Sequence, residues 1–475
     1  MKSCEELIAQ YAKELKDTVF TLGELTAFTE RAQASFGAVV IAEAMAKEGK
    51  TKQEVFADVM SQFSHNLNAL ELGITSGKSF LLGTVGSDLA KGDKEVILKD
   101  RFLNHAVVYT LGTEVGNHEI GLRPCAGTGD SCPFTGLYRA LAEEDIDKEK
   151  LTMAAAIMLK VGSYFRAGKQ TTGCNMEGYG AGAAVTAAVL TDLHGGTGRQ
   201  IAHSIVLALS PTIAVPCTPR VMVSGLCSVH IGTAILLGNL ASKLVLNSTM
   251  PVDVDVDVML AMAARVHVEA APVITNINLD YMQPYFKKNV IVESFVSEEV
   301  KAQEAAAVKT VESRAREEVR KLAMASRPLS QCLGDVVVGG SSLAVGSPSN
   351  MSRICHGLVK GKISAINIEL TTDLFVRRAI NIPAMLMAAV AGAKTGDINM
   401  YKSILTSPEL KDIVVTVTEI KEPEVQRIRI TASEQSAYLD ARNRGGGRVH
   451  IVAAEPSVEA AKAAAAKEGI HISDT

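Results

Sequence analysis

The sequence has no tryptophan, and aromatic residues make up only 4% of its 475 residues. Proteins that bind single-stranded nucleic acid stack the bases on aromatic side chains, so this composition argues against that class. The formal net charge is −4 and the pI is about 6.2. The chain therefore lacks the basic excess that attracts nucleic acid or an anionic membrane, and we expect no nucleic-acid partner.

Long uninterrupted apolar runs are also missing from the sequence. Glu6 and Lys13 interrupt the N-terminal segment, which has the pattern of an amphipathic helix rather than of a signal peptide. The most apolar later stretch, 231–246, contains Asn239 and Lys243, and it is short for a membrane span. We expect a cytoplasmic protein without a membrane partner.

The helical periodicity predicts a mostly α fold. Apolar residues recur at helical spacing through residues 1–285, and three segments between 180 and 246 are apolar on nearly every face, as in a buried helical bundle. Residues 286–328 are charged and alanine-rich, which predicts a long linker helix. The β-branched runs of residues 329–475, DVVVGG among them, predict a smaller α+β domain for substrate binding or dimerisation.

Two motifs imitate ligand-binding loops. The segment 73–80, GITSGKSF, is one residue short of a phosphate loop and follows no strand, so we predict the end of a helix there. The segment 252–258, VDVDVDV, lacks the glycine and the closing glutamate of a calcium loop. Acidic residues suit a helix N-terminus, and we predict one there.

Disulfides are not expected, although the chain has eight cysteines. Three of them stand where glycine or proline interrupts the helical pattern: Cys174 in GCNMEGYG, Cys217 in VPCTPR and Cys227 in SGLCSVH. Thiols at helix ends can be directed at one point, and helix N-termini favour the thiolate that metals require. Burial as three small core residues is the alternative, and the spacing alone does not separate the two.

The order of these motifs resembles that of a known family. GCNMEGYG, LHGGT and CTPRVMVSGLC follow one another as in the α subunit or domain of the iron-sulfur-dependent L-serine dehydratases. Upstream, residues 123–136 are similar to the family's substrate loop, and residues 65–77 to its helical lead-in. The resemblance covers roughly residues 1–270, and it identifies residues 1–285 as a serine dehydratase α-like cluster-binding domain.

The resemblance implies a 4Fe-4S cluster held by Cys174, Cys217 and Cys227, whose fourth iron is open and acts as a Lewis acid. It implies an ammonia-lyase that degrades a small amino acid, L-serine by default, to a 2-keto acid and ammonia. In this reaction a base removes the proton α to the carboxylate and the β-substituent departs. A homodimer is expected from the resemblance and from the frequency of two-fold oligomers.

The candidates for the general base and for substrate binding lie in or near these motifs. His118 is the candidate general base, with Glu119 beside it as a second catalytic candidate, although a lone histidine is more often structural. The resemblance also implies a set of residues that contact the substrate: Cys125, Ala126, Gly127, Asp130 and Glu177.

Departures from the family pattern keep alternatives open. Cys125 replaces the threonine of the substrate loop, and Cys132 adds a second thiol. One alternative is a cysteine desulfidase-like lyase that releases sulfide, and another is a non-catalytic protein that binds an amino acid or senses redox state. A zinc site on the three thiols is a third. The segment 345–357 resembles the substrate loop of the family's other domain, but its His356 lies one helical turn out of register.

Overall fold

A computed structural model describes residues 2–92, 96–123, 131–167, 179–215, 226–326, 328–331, 336–340 and 342–473. The chain divides into two compact units, Met1–Val319 and Arg320–Thr475. The described part of the first unit is helical, and the second unit combines helices with a five-stranded sheet. The predicted fold class, mostly α with a smaller α+β part, is confirmed.

The helices of the first unit begin at residues that cap them. Capping boxes at Ser3, Thr21 and Thr51 start three of the first four helices. The helices are α1 (Cys4–Asp17), α2 (Leu22–Ala32), α3 (Phe36–Glu48), α4 (Lys52–Thr75), α5 (Val85–Lys91), α6 (Arg101–Ile120), α7 (Ser131–Ala142), α8 (Lys148–Ala167), α9 (Ala181–Leu193), α10 (Gly198–Leu209), α11 (Leu226–Asn247), α12 (Val256–Met282), α13 (Val290–Glu293) and α14 (Glu298–Ala325). The last of these crosses the boundary between the units.

Helix α9 is the centre of the first unit, and all of its residues from 181 to 191 are buried. A Cβ atom at Gly182 would lie 3.1 Å from Ala234 Cβ, and one at Gly238 would lie 2.5 Å from Thr186 Cβ. The contacts therefore advance in the same direction along α9 and α11. The two helices run parallel, and their N-termini lie at the same end of the bundle.

Glycines also let α4 and α6 approach each other closely. A Cβ atom at Gly73 would lie 1.8 Å from Gly112 O, and one at Gly116 would lie 1.9 Å from Ala69 O. No side chain fits at such distances, so the two backbones are in direct contact. The helices are antiparallel here, and the chain folds back after α4, so that Ser79 contacts His118 near the C-terminal end of α6.

The second unit contains a mixed sheet with the strand order β2-β1-β3-β4-β5. The strands are β1 (Ile363–Thr371), β2 (Val414–Ile420), β3 (Val425–Ala432), β4 (Ala437–Asn443) and β5 (Val449–Glu455). Strands β1 and β2 are parallel, and the other pairs are antiparallel. The helices of this unit are α15 (Ser342–His356), α16 (Thr372–Val376), α17 (Arg378–Ala391), α18 (Ile398–Ser403) and α19 (Val458–Lys467). Helix α15 packs on β3 and β4 and against α17, which buries one face of the sheet.

Two details of the second unit differ from the sequence prediction. The end of DVVVGG, Val338–Gly340, is a 3₁₀ turn and not a strand, because Gly339 has a φ of 77°. Strand β4 was not predicted, since it has no β-branched residue. Its alternation is nevertheless regular: Ala437, Leu439 and Ala441 are buried, and the residues between them are less so.

Two helical stretches of the first unit, Ser228–Asn247 and Val256–Tyr285, are long and apolar enough to cross a membrane by length and composition alone. This is weak evidence, because a core helix of a soluble protein passes the same test. Parts of both stretches pack inside the bundle, where Ile235 and Ala263 are buried.

Candidate active site

Most of the site residues that the sequence selects lie outside the described residues. These are Cys125, Ala126, Gly127 and Asp130 in the segment 124–130, Cys174 and Glu177 in 168–178, and Cys217 in 216–225. Cys227 is described only through its backbone, at the start of α11. His118 and Glu119 are described, at the C-terminal end of α6. Within the described ranges no group of three or more His, Cys, Asp or Glu residues could hold a metal ion.

The three segments that contain these motifs lead into helices α7, α9 and α11, and the N-terminal ends of these helices meet. A Cβ atom at Gly182 of α9 would lie 2.6 Å from Pro133 Cγ of α7. The ring of Tyr179, just before α9, stacks on His230 of α11 at 5.4 Å between centroids and 5° between planes. Helix N-termini present free N–H groups and a partial positive charge. This end of the bundle therefore favours an anion such as a carboxylate or a thiolate.

His118 lies at the same end of the bundle, since α6 and α7 are antiparallel and Glu114 meets Cys132. Its Nε2 atom is 3.3 Å from Glu114 Oε1, and its Nδ1 atom is 2.6 Å from Ser79 Oγ. The side chain of Glu114 is 5% exposed and that of His118 is 27% exposed. The hydrogen bond to Glu114 raises the pKa of His118 above its ordinary value, although burial acts in the opposite direction.

These contacts determine how the ring of His118 carries its proton. Ser79 Oγ already accepts hydrogen bonds from the backbone N–H groups of Leu81 and Leu82, at 3.1 and 3.0 Å. Its hydroxyl proton is then directed to His118 Nδ1. The single N–H proton of the neutral ring is therefore on Nε2, which donates to the Glu114 carboxylate.

The second oxygen of Glu114 also has donors. Cys132 Sγ donates to Glu114 Oε2 at 2.7 Å, and Asn117 Nδ2 does so at 3.4 Å. Cys132 is fully buried in the first turn of α7. A thiol that donates to a carboxylate retains its proton, so in this state Cys132 is a hydrogen-bond donor and not a thiolate.

Glu119, the second catalytic candidate of the sequence, contacts a different group. Its Oε1 atom accepts a hydrogen bond from the backbone N–H of Lys78 in the turn after α4. The carboxylate that contacts His118 is that of Glu114, which sequence reasoning missed. The four-residue spacing of the two side chains on one helix was the available signal. Ser79 gave no comparable signal, because its contact with His118 joins two segments that are distant in sequence.

Asn66 of α4 holds the start of the predicted substrate loop. Asn66 Nδ2 donates to Arg123 O, and Arg123 N donates to Asn66 Oδ1, both at 2.8 Å. On the other side of the loop, Ser131 Oγ donates to Arg123 O at 3.0 Å. The two ends of the segment 124–130 are therefore tied to each other and to α4.

His230, which was also missed, has a lowered pKa because it is buried. It is a neutral ring stacked on Tyr179 near the start of α11. In the second unit, His356 Nδ1 donates to Ala389 O at 2.9 Å, which ties α15 to α17. His356 thus has a structural partner within its own unit.

The first unit is thus a bundle of apolar helices, and the segments that contain the sequence motifs lead into helices at one end of it. The chain is similar to a protein named "Probable L-serine dehydratase, alpha chain" from Bacillus subtilis (strain 168), with 26% identity over 220 residues. The similar region covers 43% of this chain and 70% of that protein. No family model matches the chain. The name of this distant relative agrees with the resemblance in the cysteine motifs.

Proposed function

We propose that the protein is a β-eliminating ammonia-lyase of the serine dehydratase type, which acts on a small amino acid with L-serine as the default substrate. The observation that carries this proposal is the meeting of the N-termini of α7, α9 and α11 at the end of α6 that carries His118. The similarity to the Bacillus subtilis protein supports the same class of enzyme. A homodimer and a cytoplasmic location stay predictions.

The described residues fit an iron-sulfur cluster in one respect, which is the partial positive charge of two helix N-termini. A cluster bound by thiolates is anionic, and the N-terminal ends of α9 and α11 meet through Tyr179 and His230. Cys174, Cys217 and Cys227 would hold the cluster. When bound, the cluster supplies a Lewis acid for the departure of the substrate hydroxyl.

The polypeptide's own part is to bind the substrate carboxylate and to accept a proton. The meeting helix N-termini provide a positive environment for the carboxylate. The Ser79 hydroxyl donates to His118 Nδ1 in the resting state. When the substrate is bound, this hydroxyl rotates away, and the freed lone pair of Nδ1 accepts the proton α to the carboxylate. The resulting imidazolium is stabilised by the Glu114 carboxylate, since a neighbouring negative charge favours the charged ring. Loss of the β-hydroxyl then gives aminoacrylate, which becomes the keto acid and ammonia.

The test is an anaerobic purification and reconstitution, followed by assays of iron, acid-labile sulfide and keto acid formed from L-serine. We expect about four iron and four sulfide ions per chain, together with turnover. Cys217→Ser should lose both iron and turnover, whereas Cys4→Ala, a change of a buried thiol in α1, should keep both. Full iron content and turnover in Cys217→Ser would contradict the cluster assignment.

A parallel assay with L-cysteine separates the substrates. If the protein releases sulfide from L-cysteine but forms no keto acid from L-serine, then L-cysteine replaces L-serine as the proposed substrate, as in the desulfidase alternative. Binding of either amino acid without turnover by the fully reconstituted protein would contradict a lyase of any kind.

A further inference from the structure

We propose that Ser79 and Glu114 are positioning residues, which hold the imidazole of His118 in one orientation and one tautomer through a hydrogen-bonded chain that continues to Cys132. The inference rests on the proposed role of His118 as the base. It adds to that role the two groups that make the ring of His118 effective, neither of which touches the substrate in this scheme.

The turn that carries Ser79 is fixed by its own backbone. Ser79 N donates to Gly83 O, and Gly83 N donates to Ser79 O, both at 2.9 Å. Gly83 has a φ of 63°, a conformation that glycine adopts without strain. With the two N–H groups of Leu81 and Leu82 on its oxygen, the Ser79 hydroxyl directs its proton toward His118 in the resting state, before the substrate proton is transferred.

The Glu114 carboxylate is fixed just as firmly on the other side of the ring. It is nearly buried on α6, and its Oε2 atom accepts from Cys132 and Asn117. Rotation of the carboxylate would break these bonds, so Oε1 stays directed at His118 Nε2. The order of groups is then hydroxyl, imidazole, carboxylate and thiol, with the imidazole held from both sides.

Other ionisable groups lie on the elements packed around the ring of His118. In the described residues they include Glu119 on α6, His65 on α4, Lys78 in the turn after α4, Lys287, which donates to Phe80 O beside Ser79, and Cys132 on α7. Among the ionisable groups of the described residues, Glu114 is the one in direct contact with a ring nitrogen of His118. Its replacement by a neutral side chain should therefore change the titration of His118 more than a change at any of the others.

The decisive measurement is nitrogen-15 NMR of the histidine rings in the chain as purified without cluster, with His118→Gln used to assign the signal. In Glu114→Gln, we expect the pKa of His118 to fall toward its ordinary value, because the carboxylate that raises it is gone. In Ser79→Ala, we expect the Nδ1 and Nε2 shifts to change toward a mixture of tautomers. If Glu114→Gln does not fold, the ring shifts of His118 in Ser79→Ala still test the proposal.

A matched control exists on the same helix. His105 Nδ1 lies 3.1 Å from Glu143 Oε2, a second histidine–glutamate pair away from the site. Glu143→Gln should leave the titration of His118 unchanged. An unchanged pKa and unchanged ring shifts of His118 in both folded variants, Glu114→Gln and Ser79→Ala, would overturn the proposal.

Turnover of the reconstituted protein provides the second readout. We expect kcat of Glu114→Gln to fall by about tenfold or more with KM nearly unchanged, because the base is weakened and the substrate contacts are kept. The acid limb of the pH–rate profile should move to lower pH together with the pKa of His118. If the NMR signals change as expected but turnover does not, the hydrogen-bonded chain is supported and His118 is excluded as the base.

Discussion

Asn66 and Arg123 exchange two hydrogen bonds of 2.8 Å, one in each direction between a side-chain amide and a backbone peptide. The side chain of Asn66 is buried, and its removal breaks both hydrogen bonds to the backbone of Arg123. We predict that Asn66→Ala lowers the free energy of unfolding by about 1–3 kcal/mol. Chemical denaturation measures this loss.

The control for Asn66 lies two residues away on α4. Asn68 is exposed, and Asn68→Ala should change the free energy of unfolding by less than about 0.5 kcal/mol. Equal losses in the two variants would mean that the effect comes from α4 itself and not from the contact with Arg123.

The His118–Glu114 pair gives the stability of the protein a defined pH dependence. The pKa of His118 is raised in the folded state, so the native state binds the proton more tightly than the unfolded chain. Its contribution is fully present below about pH 6.5, the ordinary pKa of histidine, and is lost as the pH rises through the folded value. The excess stability of the wild type over His118→Gln should therefore be greatest at acidic pH and decrease toward alkaline pH. A difference that grows with pH would have the wrong sign for this pair.

Because the backbones of α4 and α6 are in direct contact where the helices cross, we expect a single added methyl group there to destabilise the protein strongly. A Cβ atom at Gly116 would be 1.9 Å from Ala69 O, which is a backbone atom and cannot move by itself. Gly116→Ala should destabilise the protein by about 3 kcal/mol or more. The matched change is Gly232→Ala in α11, where the nearest side-chain atom is 3.4 Å away. It should be neutral or stabilise by up to about 1 kcal/mol through helix propensity. Thermal unfolding of the pair measures both effects.

Cys132 offers a test of the thiol as a donor. Cys132→Ala removes the Sγ donor from Glu114 Oε2 and should cost about 1.5–3 kcal/mol of stability, the range for hydrogen bonds to charged groups. Cys132→Ser keeps a donor at this position and should lose less. If alanine is tolerated better than serine, then burial of an apolar group, and not the hydrogen bond, determines the residue here.

The sequence predicted those parts of the fold that depend on local patterns. Helix α4 ends at Thr75 within the false phosphate loop, and α12 begins after Asp255, whose side chain accepts from the N–H groups of Asp257 and Val258. Both predictions are confirmed, since helix ends follow from capping and dipole rules over a few residues.

The part that escaped prediction depends on contacts between distant segments. Ser79 meets His118, and Asn66 meets Arg123, only because α4 and α6 pass at glycine distance. A periodicity along one segment holds no information about such a crossing. The predictions for Cys125, Ala126, Gly127, Asp130, Cys174, Glu177, Cys217 and the Cys227 side chain concern positions outside the described residues, and they stay predictions.

The small residues of α9 and α11 have a consequence for how this end of the bundle can change in evolution. From Gly182 to Thr191 the buried face of α9 consists of alanine, glycine, valine, threonine and one leucine, which have few rotatable bonds. The distance between the two helix starts is set by nearly rigid contacts and not by long side chains that could adjust. Substitutions in the segments that precede these helices can therefore alter the chemistry while the frame that presents them keeps its shape.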